Sequence, residues 1–473
     1  MLLQTFFDPN LAHASYLAAC QETGAAIVID PNRTVGQYVA AAAAEGVTIL
    51  AVAETHIHAD FVSGARELAG RTGATLYLSG AGGNEWHYHY AAQYPHRLLQ
   101  DGDHWQIGEL AFQALHTPGH TPEHMAYLVT DGVAAALPVG VFTGDCIFVG
   151  DVGRPDLLET AVGLKGTKSA AARELFCSIQ RFKQMPDYLQ VWPAHGAGTA
   201  CGKTLGAMPS STVGYERRTN WALQIDDEAT FVTQVLNGQP EPPRYFATMK
   251  RVNRDGPPLL PKLPNPPRLS VEQLVDLQQA GATIVDTRSA AAFAAGHIPG
   301  AINNPFAART FTTLAGWFLA YDQPFYLVID PGDLEGAVQD LVRIGLDQVA
   351  GYFPTETVDQ WSQRTGQPLG VIEQVSVAEV AAAICAGELL VIDVRSAAEF
   401  TQGHLPYARN IVLGHVLERL DEIPAARPVV LQCRSGFRSN LAAGLLASRG
   451  RTNIVNLQGG YQAWLAAQLP VDG

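Results

Sequence analysis

Thr55-His56-Ile57-His58-Ala59-Asp60, Thr117-Pro118-Gly119-His120 and Thr143-Gly144-Asp145 supply nitrogen and oxygen donors that suit a single metal ion. Two histidines stand at i and i+2, a third follows a Pro-Gly turn, and Asp145 follows a glycine. A second centre is a thiol. Cys433-Arg434-Ser435-Gly436-Phe437-Arg438 follows the apolar run 428–432 and opens a helical stretch. A cysteine placed there has its thiolate stabilised by the helix N-terminus and the loop N–H groups, with Arg434 and Arg438 adding positive charge. Such a pocket binds an anion beside a nucleophile.

The elements that must position the metal donors are strands. The apolar run 47–53 precedes the first motif and Val141-Phe142 precedes the last, so the donors sit at strand ends, rigid yet open to solvent. Residues 24–29 read as a buried strand stopped by Asp30-Pro31, 35–46 as a helix, and 47–53 as the next strand. A helix follows the first motif through 64–69, strands dominate 98–149, and an apolar stripe predicts a helix over 170–185. Val191-Trp192-Pro193-Ala194-His195-Gly196 brings one more histidine to a strand end. His87, His89, His96, His104, His116 and His124 fit no closed ligand set and read as surface or core polar residues.

A chain of 473 residues is too long for one core, and two to four domains are expected. With 47% hydrophobic and 16% charged residues it is globular, and a net charge of −14 argues against nucleic acid or anionic membrane as main partner. The start lacks a basic region and a long apolar run, so neither signal peptide nor anchor is expected. Six cysteines without CxxC pairs read as reduced thiols in a cytoplasm. The Pro-dense stretch 256–267 predicts an extended, semi-rigid linker. Beyond it Ile284-Val285-Asp286-Thr287-Arg288, Phe293 and Gly296-His297 return as Val391-Ile392-Asp393-Val394-Arg395, Phe400 and Gly403-His404, an internal repeat of two parallel-sheet α/β copies. Each copy starts with an amphipathic helix, 270–281 and 376–387. Where the second copy has Cys433, the first has Ile329-Asp330-Pro331-Gly332-Asp333, without nucleophile or basic residues.

The order of the metal-binding pieces resembles the metallo-β-lactamase superfamily, which implies an N-terminal αββα sandwich within an α/β protein. Dinuclear zinc members carry a histidine directly after the HxHxD aspartate, where this chain has Phe61. A phenyl ring cannot coordinate, and Asp60 with His195 alone makes a poor second site. The motifs, with 150–157 and 193–203, resemble the persulfide dioxygenases fused to rhodanese domains. That resemblance implies one Fe(II) per chain on His56, His120 and Asp145, with His58 behind the ligands or as a fourth. Arg154 then meets a carboxylate or phosphate of a thiol carrier, or makes a structural salt bridge. Cys201 relays sulfane sulfur near the metal, or fills the core. The C-x4-R loop, with Asp393, Arg395 and Glu399 before it and 459–464 after it, resembles an active rhodanese, and 269–369 a rhodanese-like domain without the catalytic cysteine.

The implied organisation is 1–254 dioxygenase domain, 255–268 linker, 269–369 inactive copy and 370–473 active copy. The implied activity is O2-dependent oxidation of a thiol persulfide, carried by glutathione, coenzyme A or a similar thiol, to sulfite, coupled to sulfur transfer at Cys433 that makes or uses thiosulfate. A homo-oligomer without nucleic acid or membrane partner is expected. The alternatives are a zinc-dependent glyoxalase II-like thioesterase fused to rhodanese domains, and a non-enzymatic sulfur carrier.

Overall fold

Two six-stranded sheets carry the first part of the chain in a computed structural model that describes residues 1–160, 166–203, 205–239 and 241–473. The chain divides into two compact units: Met1–Leu263 with Val342–Gly345, and Pro264–Leu341 with Leu346–Gly473. In the first unit, one sheet runs in the order Leu2–Asp8, His13–Ala19, Ala25–Ile29, Thr48–Ala53, Thr75–Ser79, His96–Leu99. Its first three strands are antiparallel and the rest parallel. The other sheet runs Ser211–Thr212, Gln190–Pro193, Gly140–Gly144, Met125–Asp131, Leu110–His116, His104–Ile107.

The sheets face each other across Tyr16, Ile27, Ile29, Ala51 and Ala53 on one side and Phe112, Met125, Tyr127, Val129 and Phe142 on the other. Burial of each large apolar side chain here contributes about 1.5–3 kcal/mol. Helices Gly36–Ala44 and Ala65–Thr72 cover the outer face of the first sheet, packing Tyr38, Ala42 and Leu68 against Val28, Val52 and Leu76. Helix Lys168–Phe182 covers the outer face of the second, with Leu175, Ile179 and Phe182 against Val141 and Val191. The result is the expected αββα sandwich. The predicted helices over 35–46 and 170–185 form with slightly shifted ends, and the strands at 25–29 and 48–53 form where the apolar runs place them. Strands Leu2–Asp8 and His13–Ala19 went unread in the sequence.

The Pro-rich stretch forms neither helix nor strand from Gly256 to Leu263, and that part of it is held along the first unit. Arg66 Nη1 donates to the Pro257 carbonyl at 2.9 Å, Arg33 Nη2 to the Pro258 carbonyl at 2.8 Å, and the Leu260 N–H to Glu67 Oε2 at 2.7 Å.

The second unit holds two all-parallel sheets. One has four strands, Ile302–Asn303, Thr283–Asp286, Phe325–Val328 and Val349–Phe353; the other has five, Glu373–Val375, Ile454–Leu457, Val429–Gln432, Leu390–Asp393 and Arg409–Asn410. The leading helices Val271–Gln279 and Val377–Cys385 both start with a capping box, Ser270 with Gln273 and Ser376 with Glu379, which fixes their first turns. The repeated residues make the same bonds in both copies. Arg288 reaches Asp286 Oδ2 and the Gly296 carbonyl at 2.6 and 2.7 Å; Arg395 reaches Asp393 Oδ2 and the Gly403 carbonyl at 2.6 and 2.8 Å. Phe293 stacks on His297 and Phe400 on His404. The repeat is thus a structural signature, and one hydrophobic core runs through both copies. Among the described residues, no helix is long and apolar enough to cross a membrane.

Candidate functional site

The loop that leaves strand Thr48–Ala53 is tied down by Asp30, which ends the neighbouring strand with a positive φ of 51°. Asp30 accepts from the Thr55 N–H at 2.6 Å and from the Thr55 hydroxyl at 2.8 Å. The hydroxyl has given its proton away, so its oxygen accepts from His56 Nδ1 at 3.0 Å. His56 Nε2 is left with a lone pair. His120 comes to the same state by another route: its Nδ1 donates to the Arg154 carbonyl at 3.1 Å, which leaves Nε2 to accept or to ligate.

Asp145 follows Gly144, whose φ is +52° and where a Cβ would meet His124 Nε2 at 2.5 Å and Thr55 Oγ1 at 2.7 Å; only glycine fits. His124 stands behind Asp145. Its Nδ1 donates to Thr117 Oγ1 at 2.8 Å and its Nε2 accepts the Asp145 N–H at 3.0 Å. Burial holds this imidazole at about 3, neutral, as an acceptor must be. The donor atoms of His56, His120 and Asp145 all lie within 4.8 Å of one another, and all three residues are buried. Asp145 Oδ2 is 3.3 Å from His120 Nε2 and 4.0 Å from His56 Nε2, and it has no hydrogen-bond partner among the described residues. A buried carboxylate oxygen left bare beside two imidazole lone pairs fits a cation, since an unpaired buried anion is costly.

The other oxygen, Asp145 Oδ1, accepts from His195 Nδ1 at 2.8 Å, and His195 Nε2 donates to Asp60 Oδ2 at 2.7 Å. Burial alone would lower His195, but the two carboxylates raise it well above the usual histidine range, and His195 stands as an imidazolium. Burial works against Asp145 too, yet His195 and His120 hold it well below the usual carboxylate range. Cys201 groups with Asp60 and His195, and burial pushes its thiol well up, so it is protonated there. The Phe61 ring is fully buried, 4.0 Å from the His13 ring and 4.4 Å from the His58 ring.

His58 points elsewhere, with Nε2 at 3.2 Å from Asp30 Oδ1 and 3.5 Å from Glu54 Oε2, in a buried group of its own. Arg154 pairs with Asp156 at 2.7 Å and donates to the Ala200 carbonyl at 3.1 Å, and it is 1% exposed. Of the two roles left open for Arg154, its contacts are those of the structural salt bridge. His13 was missed: a fully buried residue on the second strand whose ring nitrogens have no partner among the described residues, 5.7 Å from the His195 ring. No spacing rule points to it. His124, dismissed as an ordinary polar residue, holds the backbone of Asp145.

In the second unit, Cys433 ends strand Val429–Gln432 and the loop turns into helix Phe437–Ala447 through Gly436, whose φ is +89°. Cys433 Sγ accepts from the Gly436 N–H at 3.2 Å and from the Ser439 hydroxyl at 3.4 Å. Both donors stabilise a thiolate. Arg438 clasps Glu399 with two bonds of 2.7 and 2.8 Å. Burial raises the Glu399 carboxyl, but Arg438 more than offsets this and holds it at about 2. Glu399 therefore orients Arg438 beside the loop, while Arg434 and Ser435 are exposed, Gly436 is buried and Phe437 is half-buried.

Residues 9–195 match the metallo-beta-lactamase superfamily, and residues 270–352 and 376–467 match the rhodanese-like domain. A probable metallo-hydrolase of Burkholderia pseudomallei is 32% identical over 225 residues, 41% of this chain and 72% of that protein. The mitochondrial persulfide dioxygenase ETHE1 of Bos taurus is 28% identical over 234 residues, 48% of this chain and 78% of that protein. A sulfurtransferase of Allochromatium vinosum is 39% identical over 84 residues, 18% of this chain and 78% of that protein. Among solved structures, a metallo-beta-lactamase from Staphylococcus aureus is 40% identical with a TM-score of 0.68, covering 75% of this chain and 98% of that one. By these matches and its fold, the chain belongs to the metallo-beta-lactamase superfamily, in a form fused to two rhodanese-like domains.

Proposed function

We propose that the first unit binds one Fe(II) through His56, His120 and Asp145 and oxidises a low-molecular-weight persulfide to sulfite and thiol, while Cys433 transfers sulfane sulfur. The observation that carries this reading is the bare Asp145 Oδ2 facing two imidazole nitrogens whose other ring nitrogens are both engaged. Two histidines and one carboxylate with open positions are the donor set of non-haem iron oxygen chemistry. When bound, Fe(II) would supply the activation of dioxygen toward persulfide sulfur. His195 and Asp60 hold Asp145 in place and spend both His195 nitrogens on carboxylates, and Phe61 offers no ligand beside them. These contacts support one ion rather than two. The likeness to a persulfide dioxygenase supports the substrate class.

At Cys433 the thiolate attacks the sulfane sulfur of a persulfide or of thiosulfate. The sulfur–sulfur bond breaks, thiolate or sulfite leaves, and a Cys433 persulfide remains. Sulfite attacking its outer sulfur returns thiosulfate and free Cys433. The Gly436 N–H and Ser439 O–H hold the charge on Sγ in both halves. Sulfite made at one site and used at the other gives the fusion its sense, by raising effective concentration.

Oxygen uptake by the iron-loaded protein across glutathione and coenzyme A persulfides, with sulfite as product, tests the first activity. Zinc content with thioester hydrolysis and no oxygen consumption would establish the thioesterase reading instead. Thiosulfate exchange tests the second: Cys433→Ser should abolish it, and a burst without turnover in the wild type would make Cys433 a carrier.

A further inference from the structure

The copy without a cysteine reaches the Cys433 loop through a file of amides, two buried and one half-buried. Asn440, in the first turn of helix Phe437–Ala447, donates from Nδ2 to the Ala290 carbonyl of the first copy at 2.9 Å. Its Oδ1 accepts from Gln374 Nε2 at 2.9 Å. Gln374 Oε1 accepts from Asn456 Nδ2 at 2.8 Å, and the same Nδ2 donates to the Gly436 carbonyl at 3.2 Å. Gly436 in turn directs its N–H at Cys433 Sγ. Asn440 and Asn456 are each 3% exposed, and Gln374 and Asn456 are cross-strand partners in a parallel pair.

The file has a direction. A backbone carbonyl only accepts, so Ala290 fixes which way the Asn440 amide lies; Asn440 and the Ile372 carbonyl, at 3.2 Å from the same Nε2, fix Gln374, and Gln374 with the Gly436 carbonyl fixes Asn456. Turning the Asn440 or the Asn456 amide would set oxygen against oxygen in a buried place. The packing around the file is equally close. Phe293 of the first copy lies where a Cβ on Gly444 of the loop helix would meet it at 2.9 Å, and the Ile372 N–H donates to the Ala294 carbonyl at 3.0 Å.

We propose that the cysteine-free copy is a positioning element for sulfur transfer, acting from Ala290 through Asn440, Gln374 and Asn456 on Gly436, whose amide faces Cys433. This rests on the reading of Cys433 as the sulfur-transfer nucleophile. Its residues touch no substrate, so the expected signature is a loss in kcat with KM held, not a loss of binding.

The test uses the full chain with Asn440→Ala and Gln374→Glu. The second keeps the side-chain length and the acceptor for Asn456 but removes the donor to Asn440 and to the Ile372 carbonyl. Three quantities are read: kcat and KM for thiosulfate exchange, the rate of Cys433 alkylation by iodoacetamide at one pH, and the thermal midpoint. A loop amide released from its setting should lower kcat and alkylation about tenfold in each variant, with KM within about twofold of wild type. Wild-type kcat and alkylation in the folded variants would overturn the inference. If Asn440→Ala does not fold, Gln374→Glu decides alone. Alkylation needs no turnover, so it reads the loop whatever the substrate. Exchange that survives in Cys433→Ser sinks the reading of Cys433; a dead Cys433→Ser beside two unaltered amide variants sinks only this inference.

Discussion

Gly460 is the position where the structure fixes the size of an effect most directly. A Cβ there would stand 2.1 Å from the Cys433 carbonyl oxygen and 2.9 Å from the Gly436 nitrogen, with φ at +53°. That carbonyl already accepts the Tyr461 N–H at 2.8 Å, so it is held from the same side. For Gly460→Ala, the loop must retreat by about 1 Å before carbon and oxygen reach a tolerable contact. A misplacement of about 1 Å in a reacting group costs roughly 10²-fold in rate. Backbone strain at positive φ adds about 1–2 kcal/mol of destabilisation. Gly450→Ala separates the two effects, because Gly450 has φ +78° and nothing within 4 Å of a built Cβ. The assay is thiosulfate:cyanide sulfur transfer with thermal unfolding run alongside. Gly450→Ala should lose stability and keep its kcat, whereas Gly460→Ala should lose about 100-fold in kcat. Equal losses in the two variants, or a Gly460→Ala protein at wild-type rate, would refute the clash argument.

His120→Ala should remove metal and oxygen uptake while Cys433 exchange continues, because the residues around each site come from its own unit; loss of both activities together would contradict this. Phe61→His puts an imidazole directly after Asp60 in the chain, and metal analysis after zinc loading should then find more than the wild-type content; unchanged content would show that Phe61 is not what limits the site. The Glu399 carboxyl is depressed from 4.5 to about 2 by Arg438 against the opposing effect of burial, so its stabilisation is present above pH 4.5 and fades as pH falls toward 2. Both partners are 32% exposed. Glu399→Gln should therefore cost only about 1 kcal/mol at pH 7 and vanish near pH 2, as read by urea unfolding. An equal cost at both pH values would remove the ion pair as its cause.

The chemistry-bearing residues were legible because their spacing is local. The HxHxD run, the Pro-Gly-His turn and the Gly-Asp pair each stand at a strand end, and the six-residue cysteine loop needs only its own chain to curve around Sγ. The repeat was legible for the same reason: Asp286 with Arg288 and Asp393 with Arg395 bond two residues apart. What escaped is what folding brings from far away. His13 meets Phe61 and His195 from a strand near the start of the chain, and His124 supports Asp145 from 21 residues back. The roles of Arg154 and His58 stayed open because sequence shows which charges are near in number, not which way a side chain turns. The amide file from Ala290 to Gly436 spans 150 residues at its first bond, and no pattern of residue types announces it. The Pro-dense stretch shows in the sequence, but the arginines that hold it lie about 190 residues earlier and more.

The proposal places a single ion on His56, His120 and Asp145, with both His195 nitrogens engaged by carboxylates. Elemental analysis of the protein as isolated and after anaerobic iron loading tests it most directly. One iron per chain is expected, lost in His56→Ala, His120→Ala and Asp145→Ala alike. Two ions per chain, or a full metal content in any of those three variants, would contradict it.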